Sequence, residues 1–356
     1  MIAKKGWDQS LMMSLYKKEA TYDAAVVINA TNFCTLKGHS DYDPDWADTV
    51  VDDLDAVTGS EYATEQEITE QGFKFGYEEA RARPNAIIGM VAAAFGGLTP
   101  TQDGAFVAYK HKGNPAAVGA AIPSFNVIGK KGGIQYLHKG CKVNSVELSG
   151  EEGGPVKLSA EIIGSGSRAV DATGFVAKIS EPRLYSRYTK IWREASPNIS
   201  IDATLTQGAE NISSGTPVSM GPRVKSWRWK FMNNFEEQRG HGGDGVLQDL
   251  DPGRRTVELG LTVLFNDNTE LNHYLNQTAL ALELDCKHAT LIAAGGSMYY
   301  GFQIIIPKLA LKKAPHPKGG VGDSLTQDFE ILIMDDGTNP ISIFEGYNAK
   351  AAYFAA

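Results

Sequence analysis

The chain has 356 residues, about two domains' worth, with 42% hydrophobic, 21% charged and 9% aromatic side chains, which excludes wholesale disorder. Its formal charge of −8, from 34 basic and 42 acidic residues, excludes a protein built to coat nucleic-acid phosphates. Thirty-eight glycines without a Gly-X-Y period point to many tight turns between short strands, and three scattered cysteines exclude a disulfide framework or a paired-cysteine metal knuckle.

The N-terminus has lysines but no apolar signal region. The longest apolar stretch, residues 86–95, is far short of a membrane span of about 20 residues, so a soluble chain made in the cytoplasm is expected. Residues 1–66 read as an N-terminal extension or arm. An alternating strand over 67–79 leads to a short apolar helix over 84–95, opened by Pro84 and stopped by Gly96 and Gly97. A strand over 105–109, a Gly/Lys-rich turn and a strand ending at Tyr136 come next. Residues 143–148 and 156–162 alternate apolar and polar around the turn 150–154, the pattern of a hairpin with one buried face. Residues 174–197 lack periodicity and form the join. Strands follow over 225–235, 256–265, 298–306 and 327–334, with a helix over 268–276 after the first two. The Gly-rich stretch 235–255 reads as a long loop, and such loops usually have a task.

The order strand, helix, strand, strand, hairpin therefore occurs twice, with the closing strands 156–163 and 325–332 offset by 169 positions. The expected division is an extension over 1–66, a first β unit over 67–178 and a second over 179–356. The fold class is mainly β, two tandem β-sandwich units each with a short helix.

Chemistry is sparse. No phosphate-binding loop, HExxH zinc motif or strand-borne GxGxxG is present. Residues 38–42 miss the nucleophile elbow because Tyr42 stands where its second glycine belongs. His39, His111, His138, His241, His273, His288 and His316 are scattered without ligand spacing. Asp41, Asp43 and Asp45 mimic the start of a calcium loop, but Trp46 and Asp52 occupy the positions that need Gly and Glu. No catalytic residue, cofactor or metal is expected. Trp227 and Trp229 fit a core or interface stripe better than a ligand platform. A duplicated β-rich chain empty of catalytic groups suggests an assembly subunit, since strand edges are templates for further chains. The alternative is a receptor- or carbohydrate-binding β-sandwich module of a virion.

Residues 136–149, with Gly140-Cys141-Lys142-Val143-Asn144-Ser145, and residues 153–166 after them resemble the hairpin of the tail tube proteins of long-tailed, non-contractile bacteriophages. Residues 15–22 resemble that family's opening segment, with Asp23 where glycine is usual. Residues 224–234 and 255–265 resemble its second-half pattern, so the likeness runs over most of 14–335. It implies a virion protein assembled in the host cytoplasm, with inner sheets joined around rings into a β-barrel and rings stacked into a tube through which DNA is ejected. Implied partners are further copies of the chain (trimeric rings with pseudo-sixfold symmetry, otherwise hexamers), the tape measure protein, the tail terminator and the distal tail or baseplate proteins. No membrane is implied, and DNA passes without specific binding.

The charge is uneven. Residues 37–79 hold thirteen acids and two bases, leaving the remainder of the chain net positive. An acidic channel wall repels phosphate. Glu61, Glu65, Glu67, Glu70, Glu78 and Glu79 are therefore expected to face the lumen. Asp41, Asp43, Asp45, Gly240, Gly243, Asp244, Asp249 and Asp251 are expected at contacts between rings.

Overall fold

The computed structural model describes residues 9–36, 42–46, 48–53, 65–195, 200–201, 205–213, 217–240, 245–313, 316–319 and 324–355, excepting the side chains of 51–53, 65, 200 and 213. The first half opens with β1 (Gln9–Met13), β2 (Cys34–Thr35), β3 (Thr49–Asp53), β4 (Glu65–Glu70) and β5 (Phe73–Glu79). Helix α1 (Pro84–Phe95) follows, then β6 (Thr99–Gln102), β7 (Tyr109–Gly113), β8 (Phe125–Lys131), β9 (Ile134–Glu151), β10 (Val156–Gly164) and β11 (Arg168–Val170). The second half begins with β12 (Thr189–Glu194), β13 (Ser200–Ile201), β14 (Ile212–Ser213), β15 (Val218–Ser219) and β16 (Val224–Met232). It continues with β17 (Phe235–Gln238), β18 (Asp249–Pro252), β19 (Thr256–Leu264) and helix α2 (Thr269–Leu275). It ends with β20 (Leu280–Leu291), β21 (Tyr299–Lys313), β22 (Thr326–Ile333) and β23 (Ile343–Asn348). The protein is mainly β.

Strand pairing repeats between the halves. In the first, β5 pairs β10, β10 pairs β9, β9 pairs β8 and β8 pairs β1, all antiparallel. In the second, β19, β22, β21, β20 and β12 pair in the same succession. Registers match as well: Gly76 lies opposite Glu161, and Gly260 lies opposite Glu330. Strand β16 joins the halves by pairing with β9 on one edge and β19 on the other. The result is one seven-stranded antiparallel sheet in the order β5-β10-β9-β16-β19-β22-β21. The long strands β9 and β21 continue beyond it, β9 to pair with β8 and β11 and β21 with β20 and β23.

All twelve residues of α1 are buried. Pro84 sits in its first turn, where no N–H is needed, and Gly96 closes it at φ 94°, a left-handed conformation that costs glycine little. The helix packs on β9, β21, β23 and β7, with Phe95 edge-on to Phe231 at 4.9 Å. A single apolar cluster runs from Met13 and Leu15 through Phe95 and Trp229 to Phe344 and Phe354, so both halves share one core.

Three expectations differ. Residues 9–36 are not a free arm: β1 pairs with β8, and Met12, Met13 and Leu15 are fully buried. Residues 105–108 form the turn between β6 and β7 rather than a strand. The stretch 235–255 is largely a hairpin, with β17 paired to β18.

Candidate functional site

The seven-stranded sheet has two chemically opposite faces, produced by alternation along its strands that is interrupted by bulges in β9, β16 and β21. Phe75, Tyr77, Val146, Leu148, Leu158, Trp227, Trp229, Leu259, Leu261 and Phe329 point into the core. The other face carries Glu78, Glu147, Glu151, Glu161, Glu258, Asp328 and Glu330 against Lys74, Lys157, Arg228, Lys230 and Lys313, an excess of two acids. Its charges are partly paired: Arg228 donates to Glu147 at 2.7 Å, Lys157 to Glu151 at 2.8 Å, and Lys313 lies 3.6 Å from Glu330. Gly76 and Gly260 leave open space on this face, where an added Cβ would meet nothing within 4 Å.

Two hairpins sit at one end of the sheet, where β5 and β19 begin. Gln71 N–H donates to the Gly245 carbonyl at 2.7 Å, and Arg239 reaches the Gln71 carbonyl at 3.2 Å and Glu70 at 3.8 Å, so β3–β4 and β17–β18 touch. The second hairpin lays Leu247 and Leu250 on Ile163. It also supplies the partners of a buried ammonium: Lys142 donates to Asp249 at 2.7 Å and to the Leu250 carbonyl at 2.9 Å.

The expected site residues distribute as follows. Glu78 lies exposed on the polar sheet face, whereas Glu67 and Glu70 are exposed on hairpin strand β4. Glu79 points the other way, into the interior, 2% exposed, 2.5 Å from Arg83 and accepting from Tyr77 Oη at 3.1 Å. Burial pushes its carboxyl up to about 7 against the pull of Arg83, and a buried, paired carboxylate lends no charge to a wall. Asp43 is exposed beside Lys131 at 2.9 Å, and Asp45 exchanges backbone hydrogen bonds with Lys74. Gly240, Asp249 and Asp251 are all on or beside the second hairpin. Glu61, Asp41, Gly243, Asp244 and the side chain of Glu65 lie outside the described residues. The acids at 147, 151, 161, 258, 328 and 330 were not singled out from sequence. Their signal was available for most: Glu147, Glu161, Glu258 and Glu330 each stand between apolar neighbours on an amphipathic strand.

Two interior histidines and two interior thiols are held in their neutral forms. Burial lowers His111 to about 4 and His138 to about 3, so both are neutral, with His138 stacked on Phe73 at 4.0 Å. Burial pushes the Cys34 and Cys286 thiols up to about 12. Among the described residues no group of three His, Cys, Asp or Glu side chains could hold a metal ion, and no helix is long and apolar enough to cross a membrane. The indoles of Trp227 and Trp229 are in the core, which removes them as a ligand platform.

No curated protein matches the chain. A family model described as phage tail tube protein matches residues 89–331, well over half of the length, from within α1 to within β22. That span contains the whole of the β9–β16 seam and most of the amphipathic sheet. The chain belongs to the phage tail tube proteins, structural proteins of the virion tail.

Proposed function

We propose that copies of the chain close into rings, that the rings stack into the tail tube, and that DNA crosses the channel during ejection without being bound. The observation that carries this reading is the seven-stranded sheet, with the core on one face and a weakly anionic polar surface on the other. Among the described residues this sheet does not close on itself: the outer edge of β5 carries only the isolated Asp45–Lys74 bridge, and β20 covers the outer edge of β21 only as far as Leu309, which leaves residues 310–313 open. A sheet with two remaining edges gains backbone pairing by adding the next copy, and repetition around an axis removes the edges. The polar face then lines the channel. The tape measure protein would occupy that channel before ejection, and the tail terminator and distal tail proteins would meet the two ends of the tube.

Because the pairing scheme occurs twice per chain, three copies give a ring with six quasi-equivalent units. Mass measurement of single rings tests this: three copies of the 38.4-kDa chain are expected, and six would overturn the trimer. Negative-stain images showing only isolated particles under assembly conditions would overturn the ring itself. No observation favours a receptor- or carbohydrate-binding module.

A further inference from the structure

The two ends of β16 carry unlike surfaces. At its start a cavity of about 510 Å³ opens among the turns 150–153, 186–190 and 219–225. Ile191, Pro222 and Trp227 line it, together with Arg187, Lys190 and Lys225. Lys225 is bound to Glu152, and Glu151 to Lys157. Arg187 remains as a cation without a carboxylate partner among the described residues, while Lys190 lies opposite the buried Asp285 on β20. The Arg187 guanidinium lies over the rings of Tyr185 and Tyr188, and Lys190 donates to the Gly208 carbonyl at 3.0 Å. Two donors in the wall are also unspent. Trp227 is 4% exposed, and its indole N–H, like the Ser186 hydroxyl, is buried with no hydrogen-bond partner. Both converge over Gly150, where a Cβ would stand 2.5 Å from Ser186 Oγ and 2.6 Å from Trp227 Nε1. Orphaned buried donors are costly and suit an acceptor supplied from outside.

Nine residues further on, about 30 Å away at the rise of a strand, β16 runs into the β17–β18 hairpin. There Glu236 and Asp251 are cross-strand partners, both exposed, with neither in an ion pair among the described residues. Like charges directly opposite one another destabilise a hairpin. They are explained if a cation from elsewhere sits against them.

Building on the ring-stacking reading above, we propose that the Glu236/Asp251 side of the β17–β18 hairpin of one copy seats in the Arg187/Lys190 cavity of a second copy in the next ring. The contact is heterologous, with plug and socket at opposite ends of one strand, so it does not close and instead propagates a polar filament. Complementary charge also fixes its direction, because socket-to-socket and plug-to-plug stacking both oppose like charges.

Charge reversal in the full chain tests it. Arg187→Glu alone, and Glu236→Lys with Asp251→Lys, are each expected to leave rings of wild-type mass but to reduce the sedimenting tube fraction at least tenfold. Combining all three substitutions in one chain is expected to restore tubes to within about twofold of wild type. Arg187→Gln, which removes charge while keeping size, guards against misfolding and is expected to reduce tubes at least threefold. Normal tubes from Arg187→Glu, or no recovery in the combined variant, would overturn the plug and socket while leaving the rings standing. Absence of rings from the wild-type chain would instead overturn the ring reading on which the proposal rests.

Discussion

Glu78 and Glu79 are adjacent acids with opposite fates. The burial of β5 alternates strictly from Phe73 to Glu79, so Glu79 shares a face with Phe73, Phe75 and Tyr77. Counting acids along the segment treats the two alike, whereas the period of two separates them, and that period was legible in the sequence. What was not legible is the price in protonation of such burial. Asp285 on β20 is fully buried, facing Lys190 of β12, Gln303 of β21 and, beyond it, Glu345 and Tyr347 of β23, with Glu283 and Lys287 on its own strand. Burial, reinforced by Glu283, pushes its carboxyl up to about 7 from 3.8. A folded-state value above the unfolded one means that the native state holds the proton longer. Its contribution is fully present below about pH 4, is lost as pH rises toward 7, and stays constant above. His138 acts with the opposite sign: lowered to about 3 from 6.5, it removes stability as pH falls below the unfolded value. Asp285→Asn is therefore expected to melt at a higher temperature than wild type at pH 8 and to lose that advantage by pH 4. Melting curves of both proteins across this range check it; a difference independent of pH would reject the assignment.

Among elements, α1 was readable almost to the residue, because Pro84 and Gly96 punctuate an uninterrupted apolar run and both signals act locally. Helix α2 was marked by Asn268 at its start, a residue type suited to a cap, although that side chain makes no capping hydrogen bond. The β17–β18 hairpin was missed because its two short strands are separated by a Gly-rich stretch, and its register depends on Ile163 and Lys142, which are distant in sequence. That packing changes how its role should be probed. Removing residues 237–252 strips Lys142, 5% exposed, of both its partners and uncovers Ile163. The two lost hydrogen bonds of an ammonium that passes into water, and the lost apolar contacts on Ile163, should together cost roughly 1–3 kcal/mol. The deletion is expected to lower the melting temperature by several degrees as well as to abolish tubes. The double reversal at 236 and 251 touches only exposed carboxylates and is expected to melt with the wild type. Equal melting of the deletion variant and the wild type would show that the hairpin is not a structural cover.

At the scale of the whole molecule, element order revealed the repetition, but the β9–β16 seam that turns two halves into one sheet depends on pairing across more than seventy residues. No local pattern encodes such a contact. The seam also determines which charges share a surface. The acidic segment 37–79 supplies only Glu78 and Lys74 to the polar sheet face, and most of its acids come from β9, β10, β19 and β22. If this face lines the channel, its small acidic excess keeps phosphate from adhering, because affinity for DNA grows with each neutralising cation. Replacing Glu161, Glu258 and Glu330 by lysine converts an excess of two acids per chain into an excess of four bases, on side chains exposed outside the core. Wild-type tubes are expected to retain no short duplex DNA at about 0.15 M salt. Tubes of the triple variant are expected to retain it, with retention falling steeply as salt rises. A nuclease too large to enter the channel separates the inside from the outside: DNA held on this face is protected, and DNA held on the outer surface is digested. Protected DNA in the variant supports the polar face as the wall. Digested DNA, or none retained, would put that face somewhere other than the channel.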